Sequence, residues 1–136
     1  LERAVPDEDG DYFLQNQQGA FNARIDGSEP PILCLFAVVV ADLERSPELL
    51  AELNDINTRL IFPKVFWWGN QVRMETKAIA MDTTHNEFGM MCHDVANAAD
   101  HFGQQILSSF GGTPVFQRTH EESPEEASHS HRPGYI

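Results

Sequence analysis

The sequence predicts an α+β domain, an antiparallel sheet carrying helices on one face, in the order β-β-β-α-β-β-α. Three observations lead there. Ile32 to Ala41 is apolar at nearly every position and is strand-sized. Two apolar stretches flank a single Gly69-Asn70 pair, the pattern of a hairpin with a two-residue turn. A stripe of apolar residues at helical spacing starts after Thr84 and stops at Gly111-Gly112.

Taken in order, Leu1–Val5 reads as the end of a helix whose body lies upstream, so the pattern leaves room for a missing helix in front. Residues 1–9 form a polar lead-in, and the chain opens on Leu1 rather than Met, as a trimmed piece would. "DYFLQN" and "AFNARID" alternate like strands around Gln17-Gln18-Gly19 and predict a hairpin. "SEPP" breaks the chain before "ILCLFAVVVADL". A strand with one wet face would alternate; this run is apolar throughout and is expected to be covered on both faces.

Ser46-Pro47 opens a helix, with Ser as N-cap and Pro at the first helical position. Leu49, Leu50, Leu53, Ile56, Asn57 and Leu60 share one stripe, and Asn57 at its margin is expected to hydrogen-bond backbone. The opening hairpin follows, over Ile61–Trp68 and Gln71–Ala80. Thr84 with Glu87 three residues on is a capping box for the last helix. That helix carries Phe88, Met91, Cys92, Val95, Ala99, Phe102, Ile106 and Phe110 on one side. At ~1.5 Å per residue it spans ~39 Å. Gly103 inside it costs ~1 kcal/mol against Ala, so either the helix bends there or something packs closely. From Arg118 the chain is acidic and contains Pro; residues 118–136 are expected to be a flexible tail, leaving 10–117 as the single domain.

The formal net charge of −12 excludes nucleic acid and anionic membrane as natural partners, since both require a basic surface. No apolar run is long enough to cross a bilayer. Two cysteines without metal-type spacing, Cys34 and Cys92, fit buried, unreactive thiols in a cytoplasmic protein. His93 and His101 stand eight apart, a poor metal spacing, and the tail histidines form no preorganised site, so no metal or cofactor is expected. No nucleophile elbow, P-loop or dinucleotide motif occurs, so catalysis is not expected either.

The hairpin is the informative segment. A two-residue turn sets Trp68 against Gln71, Trp67 against Val72, Phe66 against Arg73, Val65 against Met74 and Lys64 against Glu75. One face, Val65, Trp67, Val72 and Met74, is wholly apolar and belongs to the core. The other mixes Phe66 and Trp68 with Lys64, Arg73, Glu75 and Lys77. Lys64 and Glu75 are placed to pair, and Arg73 to lie over Phe66 or Trp68. The chain's two lysines are both here, on an otherwise acidic body. Two wet aromatics forgo on the order of several kcal/mol, so this face is expected to meet something. The occupants are the chain's own tail or front helix, a second copy, or a peptide client.

"LLAELNDINTRLIFPKVFWWGNQVRMETKAIA", followed by an apolar helix with Ala99-Asp100 and Phe110-Gly111-Gly112, resembles the YbjN-like and type III secretion chaperone-like proteins of bacteria, most of all the actinobacterial peptide-binding TY-Chap branch. The resemblance covers roughly Gly10 to Gly112 and implies an α-β-β-β-α-β-β-α fold that acts by binding a client segment, often as a dimer. It supplies no catalytic residues. Lys64, Phe66, Trp68 and Arg73 are the expected partner-binding residues, with a sheet edge as a further docking line. The acidic body is expected to favour basic or polar clients. A small-molecule pocket between sheet and last helix near Met91 and Val95, or a structural subunit of a larger complex, are the alternatives.

Overall fold

The computed structural model describes residues 6–15 and 20–115. The Leu1–Val5 stub, the Gln17-Gln18-Gly19 turn and the acidic tail lie outside the described residues. The strands are β1 (Tyr12–Gln15), β2 (Ala20–Asp26), β3 (Ile32–Ala41), β4 (Lys64–Trp68), β5 (Gln71–Ile79) and the short β6 (Thr113–Pro114). The helices are α1 (Pro47–Arg59) and α2 (His85–Phe110). The sheet runs β1-β2-β3-β5-β4, antiparallel at every pairing, with β6 beside the end of β3.

Both helices start as their caps require. Ser46 accepts the Leu49 N–H at 3.1 Å, with Pro47 following it. Thr84 and Glu87 cap each other reciprocally, at 2.9 and 3.1 Å. At the far end of α2, Gly111 and Gly112 both have positive φ, where a side chain would be strained. Gly69 and Asn70 also take positive φ, 61° and 59°, which makes the hairpin turn a type I′ whose twist matches the strands.

Both helices lie on one face of the sheet. Leu49, Leu53 and Ile56 from α1 share a single core with Val95, Ala99 and Ile106 from α2 and with Leu35, Val39, Val65, Val72 and Met74 from the sheet. Gln105 on α2 hydrogen-bonds Glu52 on α1. The close approach expected at Gly103 is real: a Cβ there would stand 2.8 Å from Val39 Cγ1 on β3. A β-bulge between Val38 and Val40 helps, because the extra residue turns both Val39 and Val40 inward beneath the helices.

The expectation that β3 is covered on both faces needs correction. Leu33, Leu35, Ala37 and Val39 are sealed under the helices, but Cys34 and Val38 on the opposite face are only half-buried. No helix of the described chain covers that side. Phe36 is nonetheless buried, for a reason that lies in the site.

Candidate functional site

The helix-free face is built by the alternate residues of four strands. Register places Arg24 of β2 beside Cys34 of β3, Phe36 of β3 beside Glu75 of β5, and Arg73 of β5 beside Phe66 of β4. The hairpin pairs as expected at all five positions, from Lys64 opposite Glu75 to Trp68 opposite Gln71.

The neighbouring indoles therefore diverge. Trp67 packs against the core, donates its Nε1–H to the Leu43 carbonyl at 2.7 Å, and carries the Arg45 guanidinium over its ring. Trp68 points the other way and is 64% exposed. Phe66, half-buried, has the Lys64 ammonium 5.8 Å from its ring centre. At the far edge Phe13 of β1 is 62% exposed on the same side, opposite Asn22.

Arg73 does not lie over Phe66 or Trp68 as expected. Its guanidinium sits 4.5 Å from the ring centre of Phe36, across the β3–β5 pair. Arg24 covers the same ring at 5.6 Å. These two side chains shield Phe36 with their flat, weakly hydrated heads, and so an apolar strand is half-covered without a second layer of helices. Arg24 is held by a two-pronged pair with Asp11, whose second bond is 2.9 Å long. Glu75, largely buried, takes Lys64 at 3.4 Å and Lys77 at 3.3 Å. Between these residues lies an open cleft of about 1030 Å³, floored by Phe36, Cys34 and Ile32. Burial, with help from the Glu75 charge, pushes the Cys34 thiol up from its usual value.

Phe36, Arg24 and Cys34 were missing from the sequence-based site. Only the placement of β3 between β2 and β5 unites them with the hairpin, and nothing local in the sequence encodes that order. The available signal was parity: Cys34, Phe36 and Val38 alternate with the residues that face the helices.

The two outer rims of the sheet differ. Asn57 of α1 spends its whole amide on β4: its Oδ1 accepts the Val65 N–H and its Nδ2 donates to the Val65 carbonyl, both at 2.8 Å. The backbone role expected for Asn57 is thus met, and it occupies rim groups that another strand would need. Among the described residues, no backbone group pairs with the outer rim of β1.

A second apolar region adjoins the cleft at Lys77–Ile79. Phe62, Ile79 and Met90 are exposed around an open groove of about 430 Å³ beside Met91, while Val95 is fully packed. The carboxylates of Asp7, Asp9 and Asp11 lie within 4.8 Å of one another, but Asp11 is committed to Arg24, and Asp7 accepts the backbone N–H of Asp9 and Asp11.

The fold has solved relatives. A chain of the ExsC–ExsE complex aligns with a TM-score of 0.58 at 20% identity, covering 76% of this chain and 81% of that one. YbjN from E. coli, described as a putative transcription regulator, gives a TM-score of 0.47 at 16% identity over 78% of this chain and 96% of its own. No curated protein sequence matches significantly. Residues 2–118 match the family model TY-Chap1, and the chain belongs to that family, the T3SS (YopN, CesT) and YbjN peptide-binding chaperones.

Proposed function

We propose that this chain binds an extended protein segment across the helix-free face of its sheet, through Lys64, Phe66, Trp68 and Arg73, with no catalytic step. The observation that carries this reading is the exposure of Trp68 on a face that no helix of the described chain covers. A tryptophan held out by a fixed register offers a large rigid contact at little entropic cost. The cleft that opens at Arg73, the strand partner of Phe66, supplies depth and charge. ExsC, which shares the fold, is held in its crystal structure in a complex with ExsE, and this supports a protein partner.

Self-association belongs to the same reading. Homodimer formation would use the aromatic strip or the unpaired rim of β1, and residues 10–117 are the unit that carries both. The described residues contain no helix long and apolar enough to cross a membrane, and a cytoplasmic setting agrees with two unpaired thiols. The apolar groove beside Met91 is open rather than enclosed, which weakens the small-molecule alternative.

The test is Trp68→Ala in the full chain, read on an array of immobilised synthetic peptides and by light scattering. The wild type is expected to retain a subset of peptides, and the variant to lose them or to change mass while keeping its circular dichroism. A folded variant that binds the same peptides at the same strength and keeps the same mass removes the proposed surface.

A further inference from the structure

The cleft, which runs along β5 from Arg73 to Ile79, is polarised. On its β5 side stand Arg73 and Lys77, with Lys64 paired to Glu75 from β4; on its β2 side stand Asp26, the last residue of β2, and Asp9 from the segment before β1. The cations are not balanced where they sit. Lys64 and Lys77 share the one carboxylate of Glu75, and Arg24 is matched by Asp11. Arg73 has no carboxylate partner among the described residues. Its Nε is buried and makes no hydrogen bond, while the ring of Phe36 holds the guanidinium in place. A buried donor without an acceptor costs about 1–3 kcal/mol, and most such groups in folded proteins are satisfied.

We infer that Arg73 is a seat for a single carboxylate of the client: an acidic side chain on an otherwise apolar, extended segment lies over Phe36 and is taken by the Arg73 guanidinium. This rests on the proposed binding face and names the chemistry it selects. It departs from the preference for basic clients expected from overall charge, because the charge nearest the seat is Arg73 itself, with Lys64 and Lys77 gathered on Glu75 further along the same strand pair. Charges elsewhere on the body are screened beyond a Debye length of about 8 Å at physiological salt. The acids on the β2 side oppose a second negative charge, so the seat suits one acidic residue and not a polyacidic run. Planarity matters too: a guanidinium stacked on a ring still presents its edge to both oxygens of a carboxylate.

The experiment uses the full chain and three fluorescein-labelled peptides of alternating Val and Thr, identical except for a central Glu, Gln or Lys. Binding is followed by fluorescence polarisation. The Glu peptide is expected to bind roughly tenfold tighter than the Gln peptide, in line with a charge-assisted pair, and the Lys peptide more weakly still. Arg73→Gln is expected to abolish the Glu-over-Gln preference, and Arg73→Lys to restore part of it. Trp68→Ala is expected to weaken all three alike. Equal binding of Glu and Gln peptides, or a preference that survives Arg73→Gln, overturns the carboxylate seat while leaving the Trp68 surface standing. Failure of all three peptides to bind, when arrayed peptides do, overturns it as well. A synthetic peptide of residues 118–136, with its four glutamates, serves as competitor. If it displaces the Glu peptide at lower concentration than unlabelled Glu peptide does, the seat belongs to this chain's own C-terminus, and the client assignment is overturned.

Discussion

Removing each tryptophan in turn separates a core aromatic from a surface one. Trp67 is mostly covered, and tryptophan buries ~150–250 Å². At ~25 cal/mol per Å² its truncation forfeits about 3–5 kcal/mol, which matches the usual loss on deleting a core aromatic. The loss includes the partner of the Leu43 carbonyl, 2.7 Å from Nε1. Trp68 is 64% exposed. About a third of the same area gives at most ~2 kcal/mol, and the unfolded chain already shields some of it, so ~1 kcal/mol is expected. Urea unfolding followed by circular dichroism measures both. The chain has two tryptophans, so each variant is also a single-tryptophan protein. Trp67→Ala should leave an emission that is red-shifted and readily quenched by iodide; Trp68→Ala should leave one that is blue-shifted and protected. Trp67→Phe gives a milder readout if the Ala variant does not fold. Equal destabilisation by the two Ala changes, or protection of Trp68 from iodide in a monomer, would show that the chain covers Trp68 itself and would refute the diverging-indole geometry.

Gly103→Ala gains ~1 kcal/mol of helix propensity but sets a methyl 2.8 Å from Val39 Cγ1, an overpacking cost of about 1–3 kcal/mol; net destabilisation in urea is expected, with Val39→Ala as partial rescue. Asn57→Ala strips two 2.8 Å bonds from Val65 and should lower stability by about 1–3 kcal/mol and raise the tendency to aggregate, seen by light scattering. Burial pushes Cys92 up to about 11, from a usual 9.0. As pH rises through that window the unfolded chain releases its proton first, so the folded form binds more protons and stability falls; it is fully present below about 9, and Cys92→Ala should flatten the loss in pH-dependent urea titrations. A thiol reagent at neutral pH should modify half-exposed Cys34 slowly and leave Cys92 untouched until the protein unfolds.

What the sequence disclosed was local. Ser46-Pro47, the Thr84–Glu87 box and the Gly69-Asn70 turn each act within a few residues, so helix starts and the hairpin register could be derived from physical rules alone. The strip Lys64, Phe66, Trp68 and Arg73, on the face away from the helices, followed from that register. What stayed hidden was non-local. The pairing of β3 with β5 is set by a connection that runs through α1 and β4, and it decides that Arg73 stacks on Phe36 instead of on its own hairpin. The apolar run of β3 suggested cover on both sides because Phe36, Cys34 and Val38 are as apolar as their buried neighbours. In the fold, arginine side chains supply part of that cover, and periodicity contains no sign of them.

The amide of Asn57, closed over Val65, has a bearing on assembly. A ribbon with two adhesive margins can add copies without end, which is how fibres grow. Here one margin is stoppered from within, and the other, at Tyr12–Gln15, is four residues long. Joining of two such molecules along β1 would engage the one outer margin that no side chain of the described residues closes, so growth by that route would halt at a pair.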